Sequence, residues 1–282
     1  MVAPLLLVAT ATDSSAGVIT QWNFGTVHAG PYNNPAPDVG TGVATVLGMD
    51  NNYTFSGTNT ITGTGTFTFT GPSSVGSVAF ADIIATAGDP NGFANAWRVR
   101  GPSNTLGDPQ GNGWALQAPQ YTQGAQFTAS TANYYNISFH FDWFCTTQGV
   151  KNLQEQYTID GKTWVNINSP LTAVSNAFAP SQTINFAGIS GVNNNANFGV
   201  RLVSVYDPTL PILNYGSAAG GYYNNNSGNW RFANVGFVGT AAIPEPSPIL
   251  LGGLFACLFC GYSYIKKGRL SSGSIKDQPT AA

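Results

Sequence analysis

Ser138, His140 and Asp142 alternate along the run from Tyr135 to Trp143, and these are the residue types of an acyl-transfer triad. Their spacing argues against that chemistry. Same-face neighbours on a strand stand side by side, about 7 Å apart, whereas a triad draws its members from separate elements. A polar outer strand face is the expectation. Glycoside hydrolysis needs two carboxyls about 5–10 Å apart across a cleft. Asp142, Glu155, Asp160 and Asp207 are the candidates, although a turn accounts for Asp160. Before the C-terminal segment the chain has two histidines, His28 and His140, and one glutamate, Glu155. That is a thin supply for acid–base work, so no catalytic residue is assigned and an enzyme is not expected.

His and Cys clusters of metal-ligand spacing are absent, and no cofactor is expected. Calcium takes oxygen ligands from loops. The stretches Asp89-Pro90-Asn91-Gly92 and Asp108-Pro109-Gln110-Gly111-Asn112 make Asp89, Asn91, Asp108 and Asn112 the calcium candidates. Neither stretch has EF-hand spacing, and both also read as ordinary Asx turns. Trp97, Trp114, Tyr121, Tyr222 and Tyr223 lie in or beside polar loops, where rings can stack on sugars. The competing use for such rings is to close the ends of a hydrophobic core.

The elements that position these residues are strands. Only 8% of the 282 residues are charged, while 43% are hydrophobic, 12% are aromatic and 34 are glycine. Charge this sparse argues against a helical cytosolic protein, and the apolar content argues against disorder. Alternation places Ile137, Phe139, Phe141 and Trp143 on one face of a strand. Phe198 to Val205 is nearly continuous in apolar residues and predicts a central strand. Further strands are expected over Val18 to Phe24, Thr64 to Thr70 and Trp230 to Val238, the first beside the last. Asp160-Gly161 between two alternating runs predicts a type I′ hairpin. The same segment, Thr158, Asp160, Gly161 and Trp164, resembles the Asp-box hairpin of sialidase-like β-proteins. It lacks the residue usually found between Asp and Gly, and it occurs once. No 3.6-residue periodicity, fixed repeat or clean linker divides the body. The expectation is all-β: one antiparallel jelly-roll-like β-sandwich over residues 17–240, with a single transmembrane helix after it. Cys145 is alone outside the C-terminal segment and reads as a small buried side chain. No basic patch is visible in the body, so nucleic acid is not an expected partner.

Ile243-Pro244-Glu245-Pro246 precedes an apolar run ending at Ile265, followed by Lys266, Lys267 and Arg269. Residues 247–265 are uncharged and just long enough to cross a bilayer as a helix. The basic residues stop the segment and hold its end in the cytoplasm, which puts the body outside. A buried core helix and an unprocessed single-pass anchor are the rival readings. Cys257 and Cys260 within the run read as tolerated packing rather than a redox pair. The order of Pro-Glu-Pro, apolar run and basic stop resembles the PEP-CTERM sorting signal of bacterial surface proteins. The resemblance covers about the last 40 residues, taken as residues 241–270 with a polar cytoplasmic tail at 271–282. It departs in having Ile243 before the first proline and in continuing past the basic cluster. It implies recognition of Pro244, Glu245 and Pro246 by an exosortase, cleavage nearby and loss of the helix.

Residues 1–16 are apolar at first, with small residues around Ala11 and Ala16 suited to signal peptidase. No Lys or Arg precedes the apolar stretch, so this is expected to be the end of a signal peptide that starts upstream. The sequence therefore leads to a non-enzymatic, exported surface or extracellular-matrix protein. It would be anchored in the inner membrane and then moved outward, with extracellular polysaccharide as the partner the resemblance suggests. The alternative is a carbohydrate-binding module, and a glycoside hydrolase comes third.

Overall fold

The computed structural model describes residues 15–28, 32–47, 56–61, 65–70, 80–100, 113–114, 120–223 and 228–242. Fourteen strands lie among them. In chain order they are β1 (Ala16–Trp22), β2 (Val39–Gly40), β3 (Val43–Leu47), β4 (Ser56–Ile61), β5 (Gly65–Thr70), β6 (Phe80–Ala85) and β7 (Asn95–Arg100). They continue with β8 (Gly124–Thr128), β9 (Tyr134–Cys145), β10 (Asn152–Thr158), β11 (Val165–Thr172), β12 (Ala177–Asn185), β13 (Gly199–Ser204) and β14 (Trp230–Ala241). All pairing between these strands is antiparallel, as expected.

Two sheets form the body. The first runs β12-β9-β14-β1-β2, and β7 also pairs with β14 and carries β6 on its far side. The second runs β11-β10-β13-β8-β3, and β4 and β5 form a separate ribbon. Strand β1 lies beside β14, with Trp22 opposite Val235 and Ala16 opposite Thr240. Strand β13 is central, flanked by β10 and β8. Its close approach to β8 depends on Gly124, where a Cβ would fall 2.0 Å from the Leu202 carbonyl oxygen and φ is +148°.

The sheets pack face to face through aromatic rings. Ile137, Phe139, Phe141 and Trp143 are all buried, so the alternation read in β9 holds. Phe127 of β8 is the hub. Trp22, Trp97, Phe139 and Phe232 of the first sheet surround it, with ring centroids 5.4, 5.8, 5.6 and 6.2 Å away. Each such pair contributes about 0.5–1.5 kcal/mol beyond its buried area.

The β10–β11 connection corrects one expectation. A type I′ turn needs positive φ at both central residues, but of Asp160 and Gly161 only Gly161 has it, at +72°. The strands are paired up to Tyr157 and Val165, and a longer loop joins them. The Asp160 carboxylate organises this loop. It accepts from the backbone N–H groups of Lys162 (2.8 Å) and Thr163 (2.7 Å) and from the Thr158 hydroxyl (2.9 Å). Those bonds, the backbone ones foremost, hold its pKa below the usual carboxylate range.

The segment expected to cross the membrane, residues 247–265, and the 1–14 part of the leader lie outside the described residues. Among the described residues, no helix is long and apolar enough to cross a membrane.

Candidate functional site

Strand β9 carries Asn136, Ser138, His140 and Asp142 on the outer face of the first sheet, and the structure does not assemble a triad from them. The His140 ring nitrogen Nε2 lies 3.1 Å from Gln21 Oε1 on β1, across the intervening β14. Burial lowers the His140 pKa, against a smaller opposing pull from Asp142. Asp142 has no solvent exposure and is engaged elsewhere. Its Oδ1 accepts from Ser181 N (2.5 Å) and its Oδ2 from Asn91 Nδ2 (2.7 Å).

The other three carboxyls considered for hydrolysis sit in separate environments. By alternation Glu155 shares the inward face of β10 with Leu153 and Tyr157, opposite Leu202. It accepts from Asn168 Nδ2 (2.6 Å), and burial raises its pKa against that bond. Asp207 follows β13 and pairs with Lys151 Nζ at 2.5 Å. Burial pushes the Asp207 pKa up, but Lys151 and Thr209 together hold it below the ordinary value. Asp160 closes its loop. These roles are structural.

The aromatic candidates divide sharply. Trp97, Trp114 and Tyr223 are buried at 0, 0 and 1% exposure. Trp97 Nε1 donates to the Tyr32 carbonyl (3.0 Å), and the Tyr223 hydroxyl accepts from Trp114 N (3.0 Å). A ring enclosed on both faces has none to offer a sugar, so these three close the core instead. Tyr121 is half-buried, and Tyr222 is 39% exposed. One groove of about 530 Å³ lies where β8 ends and β3 and β13 begin, with Thr41, Thr128, Ser130, Asn197 and Phe198 in its wall. A second, of about 420 Å³, is lined by Arg100, Thr146, Thr147, Gln148, Asn176 and Asn229.

A cationic cluster that the sequence did not reveal lies on the outer face of the first sheet. Asp82, Arg98, Arg231, Phe144 and Phe178 form one cross-strand row over β6, β7, β14, β9 and β12. Asp82 Oδ1 accepts from Arg98 Nε (2.7 Å), and its Oδ2 pairs with Arg98 Nη2. Arg100 stands 3.9 Å from the same carboxylate, and Arg231 lies over the Phe144 ring at 4.4 Å. Three of the six Lys and Arg in residues 1–242 thus converge. Arg231 joins Arg98 and Arg100 only through strand pairing, and the Asp82 carboxylate lies among them.

Of the calcium candidates, Asp89 and Asn91 occupy the turn between β6 and β7, whereas Asp108 and Asn112 lie outside the described residues. Among the described residues, no three of His, Cys, Asp and Glu gather in one place. The sorting residues Pro244, Glu245 and Pro246 and the basic stop Lys266, Lys267 and Arg269 also lie outside the described residues.

No family model matches the chain, and no curated protein sequence matches it. Among solved structures, the enzymatically active domain of bacteriophage CBA120 tailspike protein 4 is similar at 10% identity with a TM-score of 0.27. The match covers 57% of this chain and 18% of that one. A likeness of that size carries no argument about activity.

Proposed function

We propose that this chain is a non-enzymatic, exported surface or matrix protein, a jelly-roll sandwich delivered by a PEP-CTERM-like signal. The observation that carries the reading is the order of Pro244-Glu245-Pro246, the uncharged run 247–265 and the basic stop at Lys266, Lys267 and Arg269. A second observation is consistent with processing there. The compact body ends at Ala242, whose N–H donates to the Asn133 carbonyl (2.7 Å). Pro244 follows two residues later in the sequence, so cleavage at or after it leaves every strand of the body intact.

The jelly-roll reading rests on strand order. Take β1, β3 and β9 to β14 as eight strands in chain order. The first sheet then reads first, eighth, third, sixth, and the second reads second, seventh, fourth, fifth, with β8 inserted after β3. This is the double-sheet arrangement of two Greek keys. Separate structural partners for Asp142, Glu155, Asp160 and Asp207 support a non-catalytic body.

Carbohydrate binding is the second reading. The exposed ring of Tyr222 and the groove whose wall includes Thr41, Ser130 and Asn197 favour it. Polysaccharide outside the cell is the ligand class. The sorting reading is tested by replacing Pro244, Glu245 and Pro246 with Ala in a host that has an exosortase. Retention of the chain in the inner membrane is expected, and release equal to that of the unaltered chain contradicts the reading.

A further inference from the structure

The outer face of β9 holds a second carboxyl beside Asp142. The turn Asp89-Pro90-Asn91-Gly92 folds over this face and brings Asp89 with it. Asn91 joins the two acids: its backbone N–H donates to Asp89 Oδ1 (2.8 Å), and its side-chain Nδ2 donates to Asp142 Oδ2 (2.7 Å). From the other side, the irregularity of β12 between Ala179 and Gln182 presents Ser181 at φ +52°. Ser181 gives its N–H to Asp142 Oδ1, and its Oγ lies 3.2 Å from Asn91 Nδ2. One polar atom is left over. Asp89 is only 9% exposed, and its Oδ2 is buried with no hydrogen-bond partner. That side chain interacts with the Asp142 carboxylate, and burial together with this like charge raises the Asp89 pKa.

Two carboxylates in one partly buried place repel unless a proton or a cation neutralises them. Among the described residues, no Lys or Arg pairs with either carboxylate. The nearby His140 ring is engaged with Gln21 at 3.1 Å. The donors that reach the pair are neutral amides. We propose that Asp89 and Asp142 form a binding site for one calcium ion, completed by the Asn91 side chain, Ser181 Oγ and water. With the Asn91 amide turned over, Oδ1 takes the position of Nδ2 and becomes a ligand. All-oxygen donors select a hard cation over zinc or copper. A surface turn supplying half the ligands suits the adaptable coordination of calcium better than the rigid octahedron of magnesium. Two carboxylates balance the double charge. Bound calcium staples the β6–β7 turn to β9 and the β12 irregularity, at the affinity of extracellular modules, Kd about 10⁻⁴–10⁻³ M.

The test is calcium titration of the chelator-treated full chain, read by calorimetry and by thermal midpoint, with magnesium as the control. One site is expected, with a midpoint that rises by several degrees in about 10 mM calcium and rises less in magnesium. Asp89→Asn, on the surface turn, is expected to fold and to weaken binding at least tenfold. Asp142→Asn removes a buried ligand and is read only if its midpoint without calcium is near that of the parent. A calcium response equal in Asp89→Asn and the parent overturns the site. So does a midpoint that rises on acidification but ignores calcium, because the two carboxyls then share a proton.

Discussion

Arg231 of β14 stands directly opposite Arg98 of β7, two like charges facing each other across neighbouring antiparallel strands. Such pairs are destabilising when uncompensated. Asp82, opposite Arg98 on β6, supplies the compensating carboxylate, and Phe144 lies beneath the Arg231 guanidinium.

Asp82→Asn therefore removes the carboxylate that faces Arg98 and Arg100 and is expected to cost about 2–4 kcal/mol, near the range for breaking a largely buried pair. Chemical denaturation measures it. Adding Arg98→Met to Asp82→Asn is expected to recover part of the loss, because the facing repulsion goes with it.

Phe127→Ala removes the ring around which four first-sheet aromatics pack. A loss of about 3–5 kcal/mol is expected, against less than about 1 kcal/mol for Tyr222→Ala on the surface. The same two substitutions separate packing from carbohydrate binding. If the sandwich binds polysaccharide through Tyr222, that substitution weakens retention on a polysaccharide column without moving the melting temperature.

Much of this core was legible before the structure. The 2-residue period of Ile137 to Trp143 set a strand and its inward face, because alternation is a local property, and the nearly continuous apolar run from Phe198 to Val205 set a central strand. Trp97, Trp114 and Tyr223 were harder to place. Proximity to polar loops suggests exposure, but these rings turn inward to cover the sandwich, and only tertiary packing decides that. The arginine cluster and the meeting of Asp89 with Asp142 were invisible for the same reason. Their members lie 133 and 53 positions apart in the sequence, and strand register or a folded-over turn unites them. Asp160-Gly161 marked a turn correctly but not its type, because the Asp160 side chain rather than a second positive φ closes the loop.

Glu155 gives a pH signature. Burial raises its folded pKa above the unfolded value of about 4.3. Its contribution to stability is thus fully present below about pH 4 and is lost as pH rises through the folded value. The slope in that window is at most ~1.4 kcal/mol per pH unit. Glu155→Gln keeps an acceptor for Asn168 and is expected to flatten this part of the profile. Denaturant midpoints from about pH 4 to pH 8 measure it.

Cys145 is 1% exposed, and burial pushes its pKa up to about 12. Its thiol is expected to resist alkylation at about pH 8 in the folded chain and to react fully in denaturant. Mass spectrometry counts the label; the denatured chain is expected to show two further sites, Cys257 and Cys260, if the C-terminal segment is retained.

Export and cleavage at the Pro-Glu-Pro element are tested most directly by intact-mass measurement of the chain, tagged within the body, from hosts with and without an exosortase. The account predicts a mass drop equal to loss of the segment after about Pro244–Pro246, only with exosortase and only in material outside the inner membrane. An intact, membrane-held chain in both hosts would contradict it and leave a single-pass anchor bearing a β-sandwich.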